Sequence, residues 1–305
     1  MTVPLVSQNF SDVLDVRFRE IAQGTYDLGK SRIGDFYTEK TSDRDTERYS
    51  SLTPLGLFEE FLGSIPYNGI EQEYDVTATH VEFANGLQIR RKLYDDAQFP
   101  VIDEAFGQLG DSAFKTQQSH AVGIFTGSFS ATNDFYSHTE NVALCSNSHT
   151  TPVADVSTAT GYDNLMTAEL DPTSLEAGVI QFQQMKDGSG WMIGEKPDKL
   201  LVPINLRKTA DEIVGTDKGL FSAEGTKNVY EGAFQVVDWG LLSDANDWWL
   251  INTARMKKNL LWFWRIKLEL ARMESFDNII AKARGYMRYS YLRRDWRWIV
   301  GSQKS

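Results

Sequence analysis

The chain has 305 residues, of which 41% are hydrophobic and 24% charged. This composition is typical of one or two folded domains and excludes a disordered chain. The single cysteine, Cys145, excludes an internal disulfide and a cysteine-rich zinc site. No segment reaches the roughly 20 apolar residues of a membrane helix, and the N-terminus lacks the regions of a secretory signal.

Charge is distributed unevenly along the chain, whose overall net charge is −11. Residues 255–305 contain 13 Lys and Arg against 4 Asp and Glu, a net charge of +9, which leaves −20 for the rest. Such asymmetry predicts that one part of the molecule meets an oppositely charged surface. That surface is either nucleic acid or the acidic body of another copy.

Residues 1–52 are polar and include the charged run Glu39–Arg48. We therefore predict that they form a solvated arm. The alternative is one short amphipathic helix, with its apolar positions at Phe10, Val13, Leu14, Val16 and Phe18.

The strongest local signal is the dipeptide Asn85-Gly86, which lies between two β-like runs, Glu71–Phe83 and Leu87–Tyr94. Asn-Gly favours a type I′ turn, because both central residues of that turn need a positive φ. We therefore predict a long hairpin with few apolar residues. An isolated hairpin is marginal in water, so this one is expected to lie across a neighbouring subunit. The alternative is a surface hairpin of its own domain.

The middle of the chain predicts a long helix followed by a compact α/β region. After Pro100, the helical spacing of Ile102, Phe106 and Leu109 predicts a helix over about residues 100–125. Further predicted elements are loops over 126–170, a helix that begins at Pro172, a buried strand at 199–203, a helix over 206–214 capped by Asn205, and strands over 229–239 and 248–252.

The C-terminal region contains two long runs with a period of two residues. In the first, Trp262 and Trp264 alternate with Phe263 and Arg265, and the second extends over residues 279–292. Such runs predict paired, twisted strands. The second run places three basic residues on one face: Lys282, Arg284 and Arg288.

Signatures of catalysis are absent from the sequence, which contains no Walker loop and no nucleophile elbow. His138, Cys145 and His149 are spaced by seven and four residues, which matches no common zinc pattern. They lie in a predicted polar loop and we expect them to hold no metal; if they are exposed there, replacing all three should change stability only modestly. We predict no catalytic residue and no cofactor, and a hydrolase site within residues 130–200 is the less favoured alternative.

The order of elements resembles the major capsid protein of tailed bacteriophages, which has the Hong Kong 97-type fold, and within that fold the Mu-like major head subunit group. The similarity covers about residues 50–301. It depends on the Leu93–Asp96 segment before the long helix and on four later segments: Lys196–Asn205, Phe234–Trp239 with Asp247–Asn252, Glu274–Asn278, and Asp295–Gly301.

The resemblance implies an α+β fold with five regions. These are an N-terminal arm (1–52), an extended hairpin loop (53–98), a spine helix of the peripheral domain (99–130), an axial domain (131–252) and C-terminal strands of the peripheral domain (253–305). The arm and the extended loop would lap over neighbouring subunits. A linker in place of residues 70–94 is then expected to leave a folded subunit that makes no closed shell.

The resemblance also implies a function without catalysis. The chain would form hexamers and pentamers that build an icosahedral head around double-stranded DNA, in the virion and, during assembly, in the host cytoplasm. Expected partners are a separate scaffolding protein, a portal and a possible decoration protein, with no membrane. The alternative within the fold is an encapsulin-like shell that houses a cargo protein. Predicted contact residues are Glu71, Glu73, Asp75, Asn85, Gly86, Arg90, Arg91, Lys282, Arg284 and Arg288. For Lys282, Arg284 and Arg288 we favour a neighbouring subunit over DNA, and a solvated sheet face is the remaining alternative.

Overall fold

A computed structural model describes residues 11–58, 60–65, 67, 69–90, 92–93, 96, 98–150, 161–215, 228–275 and 280–304. The helices are α1 (Ser11–Leu28), α2 (Ile33–Phe36), α3 (Phe99–Thr126), α4 (Pro172–Gln183), α5 (Arg207–Gly215) and α6 (Thr253–Asn259). The strands are β1 (Thr38–Thr41), β2 (Thr46–Leu52), β3 (Gln72–Thr79), β4 (Val81–Arg90), β5 (Tyr136–His138), β6 (Leu165–Met166), β7 (Lys199–Val202), β8 (Gln235–Asp238), β9 (Trp248–Ile251), β10 (Leu260–Ser275), β11 (Ile280–Arg293) and β12 (Ile299–Ser302).

These strands form three sheets. We call them the long sheet (β1-β10-β11-β4), the buried sheet (β6-β12-β9-β7-β8) and the small sheet (β2-β3-β5). The predicted pair of C-terminal strands is confirmed, since β10 and β11 run antiparallel from Leu260 opposite Arg293 to Ser275 opposite Ile280. Because helices and mainly antiparallel sheets pack side by side, the architecture is α+β, as predicted.

The long sheet is covered on both faces near the start of β10. Trp262 and Trp264 point to the side of α3, and the Trp262 ring stacks on Tyr289 of β11 at 4.9 Å. Leu261 and Phe263 point to the opposite side, where they pack against the small sheet. Successive strand residues face opposite sides, so a strand buried on both faces must be apolar at every position. For this reason Phe263, on the face opposite to the tryptophans, is also buried.

The buried sheet and the long sheet share one hydrophobic core, which the end of α3 connects. The strands β7, β9 and β12 have four residues each, and every one of these residues is buried. The Phe125 ring packs against Trp239, Trp249 and Trp298, at centroid distances of 6.2, 6.1 and 6.3 Å. The helix thus anchors the two halves of the molecule to each other.

The prediction of a solvated arm is wrong for residues 11–52. Helix α1 packs on α3, where the Phe18 and Phe106 rings meet edge to face at 4.8 Å. Strand β1 pairs in parallel with β10, and Thr38 lies opposite Leu261. The amphipathic-helix alternative gave the right type of element, although its Phe10 lies outside the described residues. Contacts with distant elements stabilise a segment that is too polar to be recognised locally.

The predicted hairpin turn at Asn85-Gly86 is also wrong. Both residues lie in the middle of β4, whose partner is β11, and Gly86 is opposite Arg284. Glycine is needed here for close approach, because a Cβ would lie 3.0 Å from the carbonyl oxygen of Ala283. His80 separates β3 from β4, and the two strands enter different sheets. Local turn chemistry is therefore overruled by long-range pairing.

The hairpin before the long helix is formed by β2 and β3, which pair antiparallel from Thr46 opposite Thr79 to Leu52 opposite Gln72. Residues 53–71 connect them. The proposed linker in place of residues 70–94 would remove β3 and β4, which contribute the buried Val76 and Ile89 to the core. The replacement is therefore expected to destabilise the subunit itself, and not to leave it folded.

The other predicted elements agree with the structure except in detail. The helix expected over 100–125 is α3, and the helix from Pro172 is α4, with Asp171 accepting a hydrogen bond from the Ser174 amide as its N-cap. Strands β7 and β9 are confirmed. The strand predicted over 229–239 is limited to β8, and Asn205 lies inside a 3₁₀ turn, Ile204–Leu206, rather than at a helix cap.

Candidate subunit-contact surface

The connection between β2 and β3, which we call the apolar loop (residues 53–71), is the largest exposed apolar segment that the structure describes. Its base is closed by the Thr53 amide, which donates to the Glu71 carbonyl at 2.9 Å. Phe58, Leu62 and Tyr67 are 107%, 85% and 91% exposed. Further exposed apolar residues of the loop are Leu55, Leu57, Phe61, Ile65 and Ile70.

Exposure of this kind is unfavourable for an isolated subunit. Burying one large apolar side chain contributes about 1.5–3 kcal/mol. Monomeric proteins rarely expose contiguous apolar patches of more than a few hundred Å², and larger ones mark interaction sites. The apolar loop is therefore the best candidate for a contact surface.

Sequence reasoning missed this surface, although it predicted an extended loop close by. The signal was present: eight large apolar residues lie between Leu55 and Ile70, among Gly56, Gly63 and Gly69. Apolar residues that are spaced by glycine and proline with no steady period fit neither a helix nor a strand.

The predicted acidic contact residues lie on or beside β3 and differ in their surroundings. Glu71 is exposed at the base of the apolar loop, and Glu73 is half-buried. Asp75 is already paired within the subunit: hydrogen bonds from Ser50 and Arg48 lower the pKa of its carboxyl to about 2. Glu71 is thus the acidic residue of this set that is most available to another molecule.

The predicted contact residues around the Asn-Gly dipeptide occupy β4 and face solvent. Asn85 Nδ2 donates to Ser112 Oγ of α3 at 3.2 Å, which fixes the side chain on its own subunit. Arg90 is exposed at the end of the strand. Arg91 lies outside the described residues.

The three predicted basic residues lie on β11, as expected, but only Arg288 has an ion-pair partner. Its guanidinium is 2.5 Å from Asp45 Oδ1 and 3.8 Å from Glu82 Oε1. Lys282 and Arg284 are exposed and make no ion pair with any described residue. The charge complementarity predicted between segments therefore exists partly inside one subunit, through Arg288.

Cys145 and His149 are buried and His138 is half-buried, so the condition of exposure, under which replacing all three would have a modest effect, is not met. His149 and Cys145 are 0% and 2% exposed. Burial raises the pKa of the Cys145 thiol to about 12 and lowers that of His138 to about 4. A polar composition does not reveal this burial, in which the His149 ring stacks on Trp296.

Substituting all three residues, as His138→Ala, Cys145→Ser and His149→Ala, is therefore expected to destabilise the subunit strongly. Each change removes buried packing or a buried hydrogen bond, and typical losses are about 1–3 kcal/mol per site. Urea unfolding followed by circular dichroism would measure the shift in midpoint. A midpoint equal to that of the wild type would contradict the burial of these side chains.

A polar cleft of about 500 Å³ lies beside this buried cluster, in the region where a hydrolase site was the alternative. Two of its charged groups have structural partners: Arg255 pairs with Glu195 at 2.5 Å, and Arg297 pairs with Asp295 at 2.9 Å. The hydroxyl of Thr150 bonds to Tyr74 rather than to an imidazole. The described residues thus offer no hydroxyl activated by a base in this cleft.

In the described ranges there is no group of three or more His, Cys, Asp or Glu side chains placed to hold a metal ion. Of the helices in the described part of the chain, none is long and apolar enough to cross a membrane.

Comparison with solved structures identifies the class of fold. A chain of Microbacterium phage Oxtober96 is 10% identical with a TM-score of 0.55, covering 91% of this chain and 92% of that one. The capsid of cyanophage P-SCSP1u gives 12% identity and a TM-score of 0.55, covering 90% and 88%. The virus-like particle from Pyrococcus furiosus gives 9% identity and a TM-score of 0.51, covering 94% and 98%. No curated protein is significantly similar in sequence. The fold is the Hong Kong 97 type found in tailed-phage capsids.

Residues 73–302 match the sequence profile of the family described as phage capsid protein. The chain therefore belongs to the phage capsid protein family and is a major capsid protein, a subunit of the icosahedral head of a tailed phage. The match begins at Glu73, so it includes β3 and every later element and excludes α1, β1 and β2.

Proposed function

We propose that the chain assembles as hexamers and pentamers into a head that encloses double-stranded DNA, and that the apolar loop makes the main contact between neighbouring copies. The observation that carries this proposal is the exposure of eight large apolar side chains in one 16-residue stretch, Leu55–Ile70. Burial against a neighbour would remove this unfavourable exposure. Repetition of one such contact around a ring generates a closed capsomer.

We propose a division into regions whose boundaries differ from those predicted from sequence, and the packing of the elements supports it. We propose α3 as the spine helix, with the long sheet as the peripheral domain. The buried sheet with α4 and α5 would be the axial domain at the capsomer centre. The extended loop would comprise β2, β3 and the apolar loop, residues 46–79, rather than 53–98. The N-terminal part with α1 belongs to the peripheral core, because it packs on α3.

The basic residues Lys282 and Arg284, on β11 of the long sheet, fit a contact with a neighbouring subunit better than a contact with DNA. Lys282 and Arg284 are exposed, and the remaining chain supplies exposed carboxylates, including Glu60 and Glu71 of the apolar loop. A body with a net charge of −20 outside residues 255–305 repels DNA overall. Charged pairs at a subunit boundary set register more than they add affinity.

Further partners follow from the proposed role alone. A head that packages DNA needs a portal through which the DNA enters, and a separate scaffolding protein would direct the curvature of the shell. Packaged DNA would be held without sequence specificity. A decoration protein is an optional addition at the outer surface. Assembly would take place in the host cytoplasm.

Electron microscopy of the purified protein and of phage particles tests this proposal. We expect closed shells with hexameric and pentameric units and, in phage, DNA protected from nuclease. An encapsulin-like shell would instead copurify with a cargo protein and contain no protected genome. A discrete monomer at high protein concentration, with or without scaffolding protein, would contradict the proposal.

Particles of a variant in which Lys282 and Arg284 are both changed to Glu distinguish a subunit contact from a DNA contact. A subunit contact predicts malformed or absent shells even without DNA, whereas a DNA contact predicts normal empty shells that retain little genome. Lys115→Glu combined with Lys208→Glu changes the surface charge by the same amount and is the control, since these side chains are 73% and 86% exposed. Normal shells with a normal genome would leave these residues as a solvated face.

A further inference from the structure

Two histidines lie on either side of one buried carboxylate. Glu140 Oε1 is 2.8 Å from His149 Nδ1, and Glu140 Oε2 is 3.9 Å from His138 Nδ1. The side chains of Glu140 and His149 are 1% and 0% exposed. An isolated charge in such a place is very costly, so its partner must be charged or must supply hydrogen bonds.

His138 is the neutral histidine of this group. Its Nδ1 accepts a hydrogen bond from the Glu140 amide at 3.3 Å, so that nitrogen carries no proton. Burial, followed by the nearby Arg293, lowers the pKa of His138 to about 4. The hydrogen bond and the lowered pKa both indicate that the His138 ring is neutral.

His149 has the opposite arrangement, because both of its ring nitrogens face oxygen atoms. Nδ1 faces Glu140 Oε1, and Nε2 is 3.1 Å from Asn164 Oδ1. The orientation of the Asn164 amide is fixed by three other bonds, two donated by its Nδ2 to Leu144 O and Ile299 O and one accepted by its Oδ1 from Ser146 N. A neutral imidazole has one N–H, and an imidazolium has two. The imidazolium form of His149 therefore satisfies every hydrogen bond in this cluster.

The surroundings favour a charged ring in a second way. The indole of Trp296 is stacked on the His149 ring at a centroid distance of 4.1 Å and an interplanar angle of 5°. A cation is attracted to an aromatic face. Burial lowers the pKa of His149 overall, by more than the Glu140 carboxylate raises it, whereas the oxygen atoms facing both ring nitrogens favour the charged form. Other charged or titratable groups that act on the pair come from β3, β5, β11 and the segment after β11: Glu73, His138, Arg293 and Arg297.

The pair connects the hairpin that carries the apolar loop to the buried sheet. Thr139, which precedes Glu140, forms two hydrogen bonds with the backbone of Asp75 in β3, at 2.9 and 2.8 Å. Thr150, which follows His149, bonds through its hydroxyl to Tyr74 at 2.5 Å. At the other end, Asn164 bonds to the Ile299 carbonyl of β12. Release of the pair would therefore loosen β3 from the buried sheet.

We propose that the buried Glu140–His149 ion pair is a protonation-dependent lock between the β2–β3 hairpin and the buried sheet. Protonation of Glu140 in acid, or loss of the second proton of His149 in base, would leave one charge buried without its partner. Burial raises the pKa of Glu140, but the hydrogen bond and charge of His149 lower it overall. The stabilisation by Glu140 is therefore present above its unfolded-state pKa and is lost as the pH falls through the folded-state pKa.

Nitrogen-15 NMR of histidine-labelled protein reads the charge state directly, since the chain has four histidines. At pH 7 we expect both ring nitrogens of His149 to be protonated and His138 to carry one proton. His138→Gln and His149→Gln assign the two signals. A singly protonated His149 at pH 7 would overturn the proposal, whatever the stability of any variant and whether or not the chain forms shells.

Hydrogen exchange of the full chain tests the mechanical part of the proposal. Glu140→Gln keeps the size of the side chain and removes its charge. We expect amides of β3 and of residues 138–150 to exchange at least tenfold faster, with those of β7 unchanged. His120→Gln, which alters a half-buried histidine bonded to Tyr289, is the matched control and should leave β3 unaffected. Equal exchange of β3 in the wild type and Glu140→Gln would refute the lock.

Discussion

Changing Phe58, Phe61 and Leu62 to serine is expected to abolish closed particles and to leave a folded, soluble subunit. These side chains are exposed in the subunit and contribute nothing to its core, so their removal does not create a cavity. In the assembled shell each would bury apolar surface worth about 1.5–3 kcal/mol. Their combined loss of about 5 kcal/mol would weaken one subunit contact by more than about a thousandfold.

Sedimentation and electron microscopy would follow assembly of this variant, and circular dichroism would confirm its fold. The control changes three apolar residues that are also exposed, at 83%, 48% and 85%, but lie outside the loop: Leu28, Ile180 and Val229. We expect the control to assemble. Closed particles of normal size from the loop variant would show that the apolar loop is not the main contact. Failure of both variants would show that the effect is not specific to the loop.

The elements that could be predicted from sequence are those with a long, regular pattern. Helix α3 is 28 residues long with apolar residues along one face, and the strands β10 and β11 are 16 and 14 residues long, with alternation over much of their length. Over such lengths the period separates helix from strand without reference to the rest of the chain. The family resemblance correctly supplied what periodicity could not, which is the order of these elements in a tailed-phage capsid fold.

The elements that could not be predicted depend on partners far away in sequence. Strand β1 is polar and four residues long, and it exists because it pairs with β10, more than 200 residues later. Asn85-Gly86 has the chemistry of a turn, but ten residues of β11 hold it in an extended strand. In both cases the decisive information lies in a distant strand, which a local pattern does not contain.

The candidate site was predicted only in part, for two physical reasons. The sequence directed attention to charged residues, and one of them, Arg288, proved to be paired within the subunit. The apolar loop was overlooked because an apolar side chain is expected in a core, and only the structure shows that these are exposed. His149 was considered as a metal ligand because its partners Glu140 and Asn164 cannot be recognised from spacing.

Replacing glycine by alanine is expected to have opposite effects on the stability of the subunit at two positions, Gly110 of α3 and Gly24 of α1. At Gly110 of α3 an added Cβ would lie 2.1 Å from the carbonyl oxygen of Ala22 in α1. That atom belongs to a helix backbone and cannot move alone, so Gly110→Ala must push the helices apart and loosen the contact of Phe18 with Phe106. At Gly24 of α1 no atom lies within 4 Å of the added Cβ.

We therefore expect Gly110→Ala to lower the free energy of unfolding by about 1–3 kcal/mol, the usual cost of overpacking, despite its better helix propensity. Gly24→Ala should raise that free energy by up to about 1 kcal/mol, because alanine is the better helix former and meets no obstacle. Urea unfolding in the background of the serine loop variant would measure both without a contribution from assembly. The double variant should show the sum of the two effects, since the added methyl groups do not touch the same atoms. A Gly110→Ala subunit as stable as its parent would mean that the helices do not approach as closely as the structure shows.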